Sequence, residues 1–181
     1  MLRALFEKKV HHLYMISSIA ISYSETNRTE DLFLSDVLNF LEQTSGDHRN
    51  RMITEIWAWS DDAWEEEHDF IQWLFPLSEK SMSVPNAPVI REPEVSWIRD
   101  SQAAQDSLIR STERYKEFLI QEKYWKLANN HNHLRITRVI KSLRMLCGDD
   151  EANGFKYWVA GQLGDKIDRI DIKTKQYWRL A

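Results

Sequence analysis

The chain has 181 residues, 43% of them hydrophobic, with one cysteine and a formal net charge of −4. That length and apolar content suffice for one buried core; the acidic balance excludes a global basic footprint for nucleic acid, and the lone Cys147 excludes an intrachain disulfide. With only 5 glycines and 4 prolines, a turn-rich β fold is disfavoured, and the expected class is all-α: a single-domain multi-helix bundle over residues 1–181 with long loops.

Charge is unevenly spread. Residues 1–100 carry 9 Lys/Arg against 18 Asp/Glu, net −9, whereas 101–181 carry 15 against 10, net +5. The two parts either attract or present solvated surfaces of opposite sign. No apolar run reaches the roughly 20 residues of a membrane span. Leu13 to Tyr23 follows Lys8 and Lys9 and loosely resembles a signal-peptide core, but its helical spacing favours a first helix.

In chain order, the spacing of Leu5, Leu13, Ile16, Ile19 and Tyr23 predicts an amphipathic helix over Leu2–Tyr23. Leu32 to Leu41 gives a second helix after Thr29, and these N-terminal helices (2–42) are expected to pack on the rest. Arg51–Trp59 reads as a short helix with Ile53, Ile56 and Trp57 inward. Ser60 then caps a central helix, with Asp61 and Asp62 in its first turn and Pro76 ending it near Phe75. Within it, Glu65 to Asp69 sets acids and a histidine against the aromatic run Phe70 to Phe75. Trp64, His68, Ile71 and Phe75 would share one face, and Glu65, Asp69 and Gln72 a neighbouring stripe.

Ser78–Pro93 is a proline-interrupted loop, long enough to suggest function or mobility. A short helix follows from Pro93 to Arg99, then a long one from Ser101 to about Lys123 capped by Asp100, with Leu108, Tyr115, Phe118 and Leu119 inward. Asn129–Asn132 breaks the chain. The helix His133–Cys147 has an apolar stripe of Leu134, Ile136, Ile140, Leu143 and Cys147, and Arg135 and Arg138 sit one turn apart beside it. Gly148 suits a left-handed helix stop. Glu151–Leu163 is a further helix, with Phe155, Trp158 and Val159 inward. The tail offers an extended segment through Ile167, Ile170 and Ile172, then a short helix to Leu180.

Two of these stretches carry a family likeness. His68-Asp69-Phe70-Ile71-Gln72-Trp73-Leu74-Phe75-Pro76-Leu77 resembles the signature of the opioid growth factor receptor conserved region, with Phe70 in place of the family's tyrosine. Ser60-Asp61-Asp62 and Glu67 resemble its polar lead-in, and Asn86-Ala87-Pro88 its short loop motif. His133 to Leu143, with Leu134-Arg135-Ile136-Thr137-Arg138 at its heart, is similar to the family's second helix. The likeness covers about residues 40–160. It implies a helical fold and, since the animal receptor binds an enkephalin peptide and restrains proliferation around the nucleus, a receptor-like binding role. A cytoplasmic setting is expected, nuclear or perinuclear in a eukaryote.

Candidate site residues follow. Asp69 and Gln72 could meet Arg135 and Arg138, either as structural glue or as the rim of a cleft for an anionic ligand walled by Trp73 or Trp64. Glu65, His68, Asn86 and His133 complete the expected ligand-binding set. His68 with Glu65, Glu67 and Asp69, helped by His131 or His133, is the rival reading as a metal-dependent or hydrolytic centre. It lacks any recognised metal spacing, and a structural histidine is the commoner case. The chain has no glycine-rich phosphate loop, nucleophile elbow or paired-Cys motif. The expectation is a non-enzymatic helical binding domain with no cofactor, no metal and no catalytic residues. Its partner would be a peptide, a protein or a small anionic ligand, not nucleic acid.

Overall fold

Polar breaks and helix caps divide the chain into many helices of unequal length. In a computed structural model, residues 35–181 are described. The expected helix Leu2–Tyr23 and the first residues of the second lie outside the described residues. Among the described ones there are nine α-helices and no strand. They are α1 (Asp36–Leu41), α2 (Ile53–Ala58), α3 (Asp61–Glu66), α4 (Ile71–Leu74), α5 (Glu94–Asp100), α6 (Gln102–Gln121), α7 (Asn132–Leu146), α8 (Asp149–Leu163) and α9 (Ile172–Leu180). Two 3-10 turns, Tyr124–Lys126 and Gly164–Arg169, join them.

The long helices are α6, α7 and α8. Ser101, rather than Asp100, caps α6: its hydroxyl accepts from the Ala104 N–H at 3.3 Å. Leu108, Tyr115, Phe118 and Leu119 fall on one side and are fully buried. In α7 the buried stripe is Ile136, Val139, Ile140, Leu143 and Leu146. Leu134, expected in that stripe, is 61% exposed, and Cys147 is only half-buried. Two residues of helix turn the side chain by about 200°, so Leu134 points away from the face that Ile136 buries. Gly148 stops α7 with φ +102° and ψ 177°, a region that only glycine enters freely, rather than the compact left-handed one expected. In α8, Phe155 and Val159 are buried, while Trp158 is half-exposed and stacks on Phe155. The tail coils as a 3-10 turn where an extended segment was expected, and α9 runs from Ile172.

The larger departure is at the centre. Ser60 caps as expected, its hydroxyl accepting from the Ala63 N–H at 3.2 Å, but the helix ends at Glu66. Glu67 is extended (φ −79°, ψ 138°), and helix resumes only for Ile71–Leu74. The predicted common face of Trp64, His68, Ile71 and Phe75 therefore does not exist. Every residue from Phe70 to Leu77 is buried, which no single face of a straight helix achieves. The break lets Phe70 fill the space between Trp59 and Trp64, at ring distances of 5.5 and 4.8 Å. Trp64 is itself fully buried, its indole N–H donating to Ile56 O at 2.9 Å.

Short helices need help at their ends, and Arg114 of α6 supplies it for two. Its guanidinium donates to Trp57 O (3.1 Å) and Trp59 O (2.8 Å) beyond the end of α2, and to Asp61 Oδ1 (2.8 Å) at the start of α3. It also lies over the Trp64 ring at 4.8 Å. Arg114 is buried, so its removal strands the Trp57 and Trp59 carbonyls and leaves Asp61 without its cation. Arg114→Ala should lower unfolding free energy by about 3 kcal/mol in a urea titration. Arg110→Ala, an exposed change on the same helix, should stay within about 0.5 kcal/mol.

Candidate functional site

The backbone leaves α4 at Phe75 and Pro76 and enters a surface loop. Leu77 and Val89 form an isolated parallel bridge, and Ile90 N donates to Leu77 O at 3.1 Å, so the two ends of the loop meet at its base. The loop stands against α7. Ser142 Oγ donates to Pro76 O at 2.9 Å, and Lys141 Nζ reaches Glu79 Oε1 at 2.7 Å. Between loop and helix lies a cleft of about 620 Å³, a size typical of ligand sites. Ile71, Gln72, Leu77, Met82, Leu134, Arg138 and Tyr177 are among its lining residues. His68, His131, Arg135, Lys80 and Lys141 border it as well.

Arg135 and Arg138 do come alongside the tryptophan-rich segment, but they grip its carbonyl groups rather than its acids. Arg135 is 6% exposed. It donates to Trp64 O and Glu67 O, each at 2.7 Å, to Asn132 Oδ1 at 3.3 Å, and to His68 Nδ1 at 3.1 Å. The last contact leaves the His68 ring proton on Nε2. Arg135 thus terminates α3, a cation at the negative end of a helix. Burial lowers its pKa from the usual arginine value.

Arg138 is less committed. Its one hydrogen bond among the described residues is to Phe75 O at 2.9 Å, and no carboxylate lies within ion-pair distance. Burial pushes its pKa down to about 10, with Glu79 opposing, so it stays charged at neutral pH at a desolvation cost.

The acids go elsewhere, which corrects the expected pairing of Asp69 and Gln72 with the two arginines. Asp69 faces the loop before α2: Arg51 Nη2 at 2.9 Å, His48 Nε2 at 3.2 Å and Arg49 Nη1 at 3.4 Å. Burial alone would raise its pKa, but these cations outweigh it and hold the carboxyl below its usual range. Asp47, buried beside Arg51 at 2.5 Å, organises that loop by accepting from the Arg49 and Arg51 N–H groups. Glu67 pairs with Arg49 at 3.0 Å. Glu65 accepts from Asn132 Nδ2 at 3.0 Å and meets His131 Nε2 at 3.3 Å. The carboxylates around His68 therefore diverge, and no group of three metal-ligating side chains exists among the described residues.

Other expected members scatter too. Trp73 is buried, stacked on His48 at 5.8 Å and edge-on to Phe40 at 5.5 Å, and neither it nor Trp64 walls the cleft. Asn86 is exposed in the turn closed by Ala87 N to Val84 O, and is not among the cleft's lining residues. His133 is buried under Trp178, and its Nε2–H donates to Trp125 O at 2.7 Å. Gln72 does line the cleft, yet its amide makes no hydrogen bond among the described residues, and its Oε1 is fully buried. Sequence reasoning missed Lys141. It lies one turn beyond Arg138, so extending the Arg135–Arg138 spacing by three would have found it. Met82 and Tyr177 had no such signal, being isolated in a loop and a tail.

An all-α domain that holds an aromatic segment of short helices against an arginine-bearing helix is the class that fold and site define. The sequence profile of the Opioid growth factor receptor (OGFr) conserved region matches residues 28–123, and the chain belongs to that family. It is similar to the opioid growth factor receptor of Homo sapiens, 34% identical over 110 positions, and to those of Rattus norvegicus and Mus musculus, each 31% identical over 109. Each alignment covers 50% of this chain but only 16–19% of the receptor. No solved structure matches. Among the described residues, no helix is long and apolar enough to cross a membrane.

Buried His133 and surface His131, which sits beside Arg135, set an acid limit. Burial lowers the pKa of His133 below 6.5 despite the Trp125 carbonyl and Asp171, and burial with Arg135 and His68 lowers that of His131. A histidine with a depressed folded pKa contributes stability that is full above its unfolded value and is lost as pH falls through 6.5 toward the folded value. The melting temperature should therefore fall as the pH drops below about 6.5. His133→Gln, which keeps a donor for Trp125 O without titrating, should flatten part of that fall and leave the His131 part. An unchanged slope would remove His133 as a contributor.

Proposed function

We propose that this chain is a non-enzymatic helical binding domain of the OGFr type, and that the cleft between α7 and the Ser78–Pro88 loop receives a peptide or protein segment. The observation that carries this reading is Arg138: a partly buried guanidinium whose only partner among the described residues is one backbone carbonyl, set beside the apolar Leu77, Met82 and Leu134. A desolvated cation whose nearby carboxylate, Glu79, is paired with Lys141 instead gains from an incoming anion, and apolar walls supply contact area. The mammalian relatives are named opioid growth factor receptors, which agrees with a peptide partner. The divergence of Glu65, Glu67 and Asp69 from His68 favours binding over hydrolytic or metal chemistry.

The two arginines can be separated experimentally. Arg135→Ala should cost about 3 kcal/mol of stability, because it strands the carbonyls of buried Trp64 and of Glu67 at the end of α3. Arg138→Ala should leave the urea midpoint nearly unchanged, since relief of its burial cost offsets one lost hydrogen bond, yet reduce capture of peptides by at least about tenfold. Peptide capture by Arg138→Ala equal to wild type would remove the cleft as the binding site.

A further inference from the structure

Two buried side chains, Gln72 and Trp73, hold polar atoms with neither a hydrogen bond nor an ion pair among the described residues, and of the two only Gln72 lines the cleft. Gln72 is 5% exposed, and its amide has no protein partner among the described residues, with Oε1 wholly shielded. Leaving a buried amide unpaired costs about 1–3 kcal/mol, so buried polar groups almost always find partners. Gln72 lines the same cleft as Arg138, and sits in α4 three residues before Phe75, whose carbonyl Arg138 grips at 2.9 Å. The cleft floor therefore offers an under-used cation and an unused amide on adjacent elements, among Ile71, Leu77, Met82 and Leu134.

From this geometry we propose, resting on the binding role above, that the cleft recognises the free C-terminal end of a peptide whose last side chain is apolar. The terminal carboxylate takes Arg138, the Gln72 amide meets the polar backbone next to it, and the last side chain lies against Leu77, Met82 and Leu134. A chain end fits this cleft better than an internal acidic stretch for two reasons. The floor holds a single guanidinium bonded only to a backbone carbonyl, in apolar surroundings; at the rim Lys141 is taken by Glu79 at 2.7 Å, and Lys80 is exposed, so a second anion would meet only a solvated ammonium. In addition, the chain's net charge of −4 disfavours a polyacidic partner at long range more than a segment with one terminal charge.

The test uses the full chain and two random heptapeptide libraries, one with free C-terminal acids and one amidated, read by affinity selection and then by calorimetry on the selected sequences. Selected free acids should end in an apolar residue and bind at least about tenfold more tightly than their own amides. That difference should collapse in Arg138→Ala and in Gln72→Leu. The Gln72→Leu protein should melt no lower than wild type, because an unpaired amide has been removed, so a loss of affinity there is not a loss of fold. Acids and amides that bind equally, and both weaken in Arg138→Ala, would overturn the chain-end reading and leave the cleft intact. Binders that tolerate amidation but lose affinity when an internal Asp becomes Asn would also overturn it, in favour of an acidic side chain. No binder from either library above the Arg138→Ala background would overturn the cleft reading together with this one.

Discussion

The described structure depends on arginine side chains that close the carbonyl ends of helices too short to stand alone. A helix of four to six residues has almost no internally bonded turn, and its last carbonyls have no partner. Here α2, α3 and α4 are each of that length. Arg114 closes α2, Arg135 closes α3 and Arg138 closes α4, all three projecting from the long helices α6 and α7. A planar guanidinium with several donors suits this task, because one side chain can bridge successive carbonyls that a lysine would meet singly. The same device recurs elsewhere: Arg99 donates to Met145 O at the end of α7, and Arg144 to Ala181 O at the end of α9. Burying Arg114, Arg135 and Arg138 costs solvation, and the carbonyl dipoles, aligned at helix C-termini, offset part of that cost; of the three only Arg114 also meets a carboxylate, Asp61 at 2.8 Å.

What could be read in the sequence, and what could not, follows from this device. The α6 and α7 spans, the Ser60 cap and the glycine stop at 148 rest on local chemistry, and local chemistry is written in residue identity. The break after Glu66 is not. Residues 67–69 contain no glycine or proline, and the apolar spacing reads through them as one helix. The competitor is Arg135, nearly seventy positions away, which takes Trp64 O and Glu67 O and has no sequence signature because every residue has a carbonyl. A partial clue was present: an apolar run from Phe70 to Leu77 interrupted only at Gln72 has no wet face, and a helix without a wet face must be short or wholly buried.

The charge pairing failed for a related reason. Opposite charges are plentiful in this chain, and Asp69 had a nearer suitor than Arg135. The Thr44–Asn50 loop, fixed by Asp47, delivers His48, Arg49 and Arg51 to Asp69 at 3.4 Å or less. Loop closure over a short stretch costs less chain entropy than pairing across most of the domain. The net attraction expected between the acidic and basic parts is real in the ion pairs Arg114–Asp61 and Lys141–Glu79, but it is not what places α7.

The family match also takes on a physical meaning. The matched residues 28–123 include all the short helices and α6 but stop before α7. Yet α7 supplies Arg135 to α3, Arg138 to α4 and Ser142 to Pro76, the contacts that shape the aromatic segment within the match. A boundary drawn at residue 123 would leave three buried carbonyls without donors, so the folding unit extends at least through α7. The same accounting separates frame from site. Arg135 spends its donors on the protein, with four acceptors in reach, and is frame. Arg138 one turn later spends one, and Gln72 beside it spends none. The unpartnered Trp73 indole N–H lies away from the cleft, whereas Arg138 and Gln72 both line it, and that shared unspent hydrogen-bonding capacity is the ground for proposing the cleft as the binding site.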